Sequence, residues 1–197
     1  MDTDLCAVIL AGGQSRRMGF NKALMDWGGR PLISVLIDRI RPLTDQILIS
    51  SNDFSSYDFL DYPVVADHFK GQGPLAGFHA AMLQNACSLY IMLACDLPNL
   101  REAMLRNLIE LASGFDAAIP RTEDGVTHPL CAVYRRTCLP SIEHALKRGS
   151  HKVIETFTDG SLEVRWVGPE EGHFQDIDLA NANTPEDLQK LKFRAII

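Results

Sequence analysis

Ser15, Arg16, Arg17 and Lys22 bring a hydroxyl and three cations into one short segment, directly after Gly12 and Gly13. Glycine allows backbone angles closed to other residues and lets a ligand approach the main chain. Backbone N–H groups in such a turn form an anion-binding concavity, and Arg and Lys neutralise the charge. The chemistry this suits is the holding of phosphates. Two other phosphate loops are excluded by spacing: G-x-x-x-x-G-K-[ST] fails because Phe20 follows Gly19, and G-x-G-x-x-G does not occur. A second candidate is Asp96, in Cys95-Asp96-Leu97-Pro98. A carboxylate ending an apolar run suits Mg²⁺, which takes few carboxylates and completes its shell with substrate phosphates. The competing role for Asp96 is an Asx cap on the turn before Pro98. Asn181 and Asn183 alternate on an extended segment and offer two amides to a polar ligand from one face.

Those residues need a frame. Residues 5–10, 46–50 and 89–95 are short apolar runs that read as buried strands, and 63–66, 117–120, 128–134 and 162–167 as further strands. Helical spacing predicts helices over 31–40, 75–84, 101–112, 138–147 and 152–157, with a closing helix after Thr184. Thr184 suits its N-cap, Pro185 its first position and Asp187 its third. Strand, helix, strand with parallel pairing is the right-handed crossover of a doubly wound sheet, whose ligands gather at the carboxyl ends of the strands. Gly12, Ser50, Asn52, Asp67 and Asp96 all fall at or just past such ends. Asn52 suits contact with a nucleotide and suits capping a turn equally well. Gly73-Pro74 points a helix amino terminus at the same rim. His128 is open between a ligand contact and a structural hydrogen bond, and the Lys147, Arg148 and Lys152 cluster between a solvated face and a phosphate contact.

Composition narrows the classes. With 46% hydrophobic and 22% charged residues the chain has the balance of an ordinary globular protein. A formal net charge of −6 argues against non-specific nucleic-acid binding. No signal peptide and no membrane-spanning run is visible. Five cysteines without a C-x-x-C pair point away from a disulfide framework or zinc site. The expectation is a reduced, cytoplasmic protein. No Cys–His or Ser–His nucleophile constellation stands out, and nucleotidyl transfer needs none, because the attacking group is the acceptor's own phosphate.

The amino-terminal string L-A-G-G-Q-S-R-R-M-G-F-N-K, residues 10–22, resembles the signature of the molybdenum cofactor guanylyltransferases. The related sugar and alcohol cytidylyltransferases usually carry L-A-A-G-x-G-x-R-M-G, so Gly12 and Ser15 favour the molybdenum branch. Asp67, G-P-L-A-G at 73–77, C-D-L-P at 95–98, H-P-L at 128–130 and N-A-N-T-P-E-D-L at 181–188 follow in the family's order. The resemblance implies one nucleotidyltransferase domain over residues 1–197: an α/β fold with a single doubly wound, mostly parallel Rossmann-like sheet and helices on both faces. It implies transfer of GMP from GTP to Mo-molybdopterin with release of pyrophosphate and with Mg²⁺ as cofactor. In that scheme Leu10, Ala11, Gly12 and Gly13 cradle the nucleotide. Arg17 and Lys22 stabilise the triphosphate and the departing pyrophosphate, and Asp67 with Ser50 or Asn52 holds the nucleoside. Asp96 binds Mg²⁺, and Asn181 and Asn183 line the acceptor side. A molybdenum-insertion protein and an apo-molybdoenzyme are the implied macromolecular partners. The alternatives are a cytidylyltransferase for the same cofactor, a sugar-phosphate nucleotidyltransferase and a non-catalytic nucleotide-binding module.

Overall fold

The computed structural model describes residues 4–12, 21–150 and 152–194. Gly13, Ser15, Arg16 and Arg17 therefore lie outside the described residues. Seven strands form one sheet: β1 (Leu5–Leu10), β2 (Ile47–Ser50), β3 (Val64–Val65), β4 (Leu89–Ala94), β5 (Ala117–Pro120), β6 (Cys131–Arg135) and β7 (Val164–Val167). Their order across the sheet is β3-β2-β1-β4-β6-β5-β7. All neighbours run parallel except β6, which is antiparallel to both β4 and β5. The sheet is thus mostly parallel, as expected.

Register decides where chemistry can gather. Leu10 aligns with Ser50 on one side and Ala94 on the other, and Ser50 aligns with Val65. The carboxyl ends of β1, β2, β3 and β4 therefore stop level, and the residues that follow them share one rim. Because β6 runs the other way, with Cys131 beside Leu93, its entrance reaches the same rim. The sequence expectation of a strand from residue 128 is corrected here. Residues 128–130 form a turn before β6, closed by the Cys131 N–H donating to the His128 carbonyl at 3.0 Å.

The helices are α1 (Leu32–Ile40), α2 (Pro74–Gln84), α3 (Glu102–Leu111), α4 (Leu139–Lys147), α5 (Val153–Thr158), α6 (Pro169–Gly172) and α7 (Pro185–Arg194). Alternation along β1 shows how they are held. Leu5, Ala7 and Ile9 pack into one apolar layer with Ile33, Leu36 and Ile40 of α1 and with Met104, Leu105 and Leu108 of α3. Cys6, Val8 and Leu10 face the opposite layer, with Leu75 and Phe78 of α2, Ile142 and Leu146 of α4 and Phe157 of α5. Helices thus cover both faces, and every β1 residue is buried, which is why this strand reads as unbroken hydrophobicity rather than alternation. Each large side chain so buried contributes about 1.5–3 kcal/mol.

A smaller cluster joins the two ends of the chain. Met25 and Leu32 pack against Ala182, Leu188 and Leu191. Thr184 and Asp187 cap α7 reciprocally: the Asp187 N–H donates to Thr184 Oγ1 at 3.1 Å, and the Thr184 N–H to Asp187 Oδ2 at 3.1 Å. This cluster carries the carboxyl-terminal asparagines to the rim.

Candidate active site

Lys22 opens a single 3-10 turn, Lys22–Leu24, whose amino end is capped by Asn21: its side chain accepts from the Ala23 N–H at 3.0 Å. The turn aims the Lys22 ammonium across the rim. Nζ lies 3.1 Å from Asp96 Oδ2 and donates to Asn183 Oδ1 at 2.5 Å. Asp96 Oδ1 accepts from Asn181 Nδ2 at 2.8 Å. Four residues from three distant parts of the chain are therefore joined into one cluster, and Asp96 itself is only 8% exposed. The alternation of the carboxyl-terminal segment explains the two asparagines. Ala182 is fully buried in the small cluster while its N–H donates to the Asp96 carbonyl at 2.9 Å, which leaves Asn181 and Asn183 on the outer face.

A second group lies along the rim past β2 and β3. Asn52 Nδ2 donates to Asp67 Oδ2 at 2.9 Å, and the Asp67 N–H returns a bond to Asn52 Oδ1 at 3.1 Å. Ser50 is 3% exposed, below Asn52. Gly77 of α2 presses on it so closely that a Cβ there would stand 2.0 Å from Ser50 Oγ and 3.2 Å from Asp67 Oδ1. Gly12 packs against the end of β2 in the same way, where a Cβ would meet Ser51 Cα at 3.3 Å. Between them, the Leu10 carbonyl accepts from the Cys95 N–H at 3.3 Å, and the Ala11 N–H donates to the Ser50 carbonyl at 2.9 Å. The opening of the first motif, Leu10 to Gly12, is thus flush with both neighbouring strand ends.

Beside Asn181 lies a cavity of about 220 Å³, walled by Ala94, Leu97, Pro129, Leu130 and Cys131 and bordered by the polar residues Thr127, His128 and Asn181. Nε2 of His128 is buried and has no hydrogen-bond partner among the described residues. Burial pushes the His128 pKa below its usual value, against the raising effect of Asp176 and Asp124, so its ring is neutral at pH 7. Burial pushes the Cys95 thiol up to about 12, with Asp96 adding to the effect, so this rim cysteine is no nucleophile at neutral pH.

Lys147 and Lys152 pair on the exposed sides of their own elements, with Glu143 at 2.6 Å and with Glu155 at 3.0 Å. A pairing that the motifs did not signal is Arg101 with Asp178. Arg101 Nε and Nη2 donate to the two Asp178 carboxylate oxygens at 2.8 and 2.6 Å, and Nη2 also to the His173 carbonyl at 2.9 Å. Asp178 is 3% exposed and takes the Gln175 N–H at 2.7 Å as well. This fork fastens the stretch leading to Asn181 onto the start of α3. No string in the sequence signals this pair, because its two members lie 77 residues apart.

Among the described residues no group of three or more His, Cys, Asp or Glu side chains could hold a metal by itself. No helix among them is long and apolar enough to cross a membrane. Similarity to known proteins agrees with the geometry. A family described as the MobA-like NTP transferase domain matches residues 7–162. The molybdenum cofactor guanylyltransferase of Desulfosudis oleivorans is 34% identical over 190 residues, covering 93% of this chain and 92% of that protein. That of Vibrio vulnificus is 31% identical, over 92% and 91% respectively. The crystal structure of molybdopterin-guanine dinucleotide biosynthesis protein A from Archaeoglobus fulgidus superposes with a TM-score of 0.79 at 26% identity, covering 97% of this chain and 99% of that one. A level rim of strand ends, a cationic turn aimed at a buried carboxylate and a match over most of the sequence lead to one conclusion: this chain belongs to the MobA-like NTP transferase family.

Proposed function

We propose that the protein transfers GMP from GTP to the phosphate of Mo-molybdopterin and releases pyrophosphate. The observation that carries this reading is the bridge from Lys22 to both Asp96 and Asn183, because it joins the amino-terminal motif, the central strand end and the carboxyl-terminal motif at one point. The similarity to proteins named molybdenum cofactor guanylyltransferases supplies the substrates.

In the reaction, an oxygen of the acceptor phosphate bonds to the α-phosphorus of GTP, and the bond to the β-phosphate breaks. The chain's tasks are alignment and charge stabilisation. Leu10, Ala11 and Gly12 present backbone to the nucleotide, Asn52 and Asp67 hold the nucleoside side, and Lys22, together with Arg17, takes the negative charge that develops on pyrophosphate. Lys22 leaves Asp96 to do so.

Asp96 fits Mg²⁺ as a shared ligand. It offers hard oxygen donors, and no group of three or more His, Cys, Asp or Glu among the described residues could hold the ion alone, so phosphate oxygens and water would complete the shell. The ion would supply charge stabilisation on the phosphates. Asn181, freed from Asp96, and His128 face the cavity that takes the acceptor's heterocycle; apolar walls with a few polar handles suit a flat ring system.

Pyrophosphate release from GTP in the presence of Mo-molybdopterin and Mg²⁺ tests the proposal. Lys22→Ala and Asp96→Ala should each lose most turnover, about 100-fold or more, with the circular dichroism of the fold retained. Wild-type-like turnover in either variant overturns the assignments.

A further inference from the structure

Tyr57 closes a 3-10 turn, Ser55–Tyr57, that follows β2, and it is 1% exposed. Its hydroxyl reaches under the rim to two points far away in sequence. It donates to the Ala11 carbonyl, just past the end of β1, at 2.9 Å. It accepts from Asn21 Nδ2 at 2.9 Å. The other end of the same amide, Oδ1, caps the turn that begins with Lys22. An unbroken line of hydrogen bonds thus runs from the strand end at Ala11, through the tyrosine hydroxyl and the Asn21 amide, into the turn that aims the Lys22 ammonium. The hydroxyl is used on both its donor and acceptor sides, with Ala11 as the nearer acceptor at 2.9 Å and Asn21 Oδ1 a more distant one at 3.3 Å.

Nothing in this arrangement calls for a phenol on packing grounds alone: a phenylalanine would fill the same space in the layer around Ile9, Ile49 and Leu60. The hydroxyl's two partners are what distinguish it. Burial pushes its pKa up to about 12, outweighing the lowering effect of Asn21, so at working pH it keeps the proton that it donates to Ala11.

We propose that Tyr57 is a positioning residue for Lys22, holding the Lys22 turn at a fixed height above the end of β1 so that the ammonium meets the nucleoside triphosphate. The proposal rests on the reading that Lys22 binds that triphosphate. It assigns Tyr57 no contact with substrate.

The test is a double-mutant cycle on nucleotide binding, with Tyr57→Phe and Lys22→Ala made singly and together in the full chain. GTP, CTP and ATP are titrated into wild type first, and the cycle is run with whichever binds tightest. Loss of one hydrogen bond that orders a charged group predicts about a tenfold rise in Kd for Tyr57→Phe. In the Lys22→Ala background the same substitution should change Kd by less than about twofold, because the group it positions is gone. Binding of GMP, which lacks the β- and γ-phosphates, should be nearly unchanged in Tyr57→Phe. That comparison decides the matter if the Lys22→Ala variant binds too weakly for the cycle. Tyr90→Phe removes another buried hydroxyl, one that bonds Asn85 and Arg136 away from the cluster, and should leave nucleotide affinity at the wild-type value.

Equal losses of affinity in the two backgrounds, or equal losses for GTP and GMP, would show a merely structural tyrosine and overturn the proposal. So would an unchanged Kd in Tyr57→Phe. A preference of wild type for CTP or ATP would refute guanylyl transfer while the cycle still decides the role of Tyr57. Binding of no triphosphate would refute both.

Discussion

Replacing Gly77 by alanine offers a test in which two physical effects have opposite signs. In the interior of α2, Ala is favoured over Gly by about 1 kcal/mol, because it restricts the unfolded chain and covers the backbone. Against this stands the contact below the helix. The new Cβ would lie 2.0 Å from Ser50 Oγ, 3.2 Å from Ser50 Cβ and 3.2 Å from Asp67 Oδ1. Carbon atoms in contact sit about 3.5–4.0 Å apart. Rotating the serine hydroxyl relieves the first contact alone, since Ser50 Cβ is fixed by β2, so α2 must lift or Asp67 must turn away from Asn52. Overpacking of this kind costs about 1–3 kcal/mol. The net expectation is a loss of up to about 2 kcal/mol in denaturant unfolding, with nucleotide Kd raised about tenfold as the Asn52–Asp67 pair shifts. Adding Ser50→Ala removes the shortest contact and should recover part of the lost stability. A Gly77→Ala protein that is about 1 kcal/mol more stable than wild type, with unchanged Kd, would refute the close approach of helix and strand end.

Other consequences follow from the same contacts. Arg101→Met strips both guanidinium donors from the buried Asp178 carboxylate; since Arg101 is half exposed, the expected loss is about 2–3 kcal/mol rather than the full cost of breaking a buried pair. Thermal unfolding measures it, and turnover should fall with it because Asn181 follows on the same stretch; unchanged stability and turnover would contradict the fork's role. His79 of α2 is 3% exposed and neither ring nitrogen has a partner among the described residues. Burial lowers its pKa, opposed by Glu143 and reinforced by His68 and Lys147. A lowered folded pKa means that the unfolded chain takes up the proton first, so the stability His79 contributes is full above about pH 6.5 and is lost as pH falls through its folded pKa. Equilibrium unfolding between pH 7.5 and pH 5.5 should show a steeper loss in wild type than in His79→Phe, by at most about 1.4 kcal/mol per pH unit; parallel profiles would mean that His79 does not titrate with folding.

The strands that carry the rim were legible because each is a short apolar run ended by polar or glycine residues, and the Thr184–Asp187 cap because its residue types sit at helix-start spacing. The antiparallel setting of β6 was missed, although only a short polar stretch with no room for a crossover helix separates it from β5, which is a sign of antiparallel pairing. Pro129 is the local mark of the turn at 128–130, since proline cannot donate to a sheet ladder, and reading the strand from His128 passed over it. Asn52 was open between ligand and cap; its two bonds to Asp67 depend on strand register that composition does not reveal. Tyr57 and the Arg101–Asp178 fork were invisible for a simpler reason: their partners lie 36 to 77 residues away, and neither sits in a recognisable string.

The central claim is that the Lys22–Asp96 cluster binds a guanine nucleotide together with Mg²⁺. Calorimetric titration with GTP and with CTP, each with and without Mg²⁺, on wild type and Asp96→Ala, tests it most directly. The account predicts tighter binding of GTP than of CTP, strengthened by Mg²⁺ in wild type and no longer Mg²⁺-dependent in Asp96→Ala. A preference for CTP, or Mg²⁺-dependent GTP binding that survives in Asp96→Ala, would contradict it.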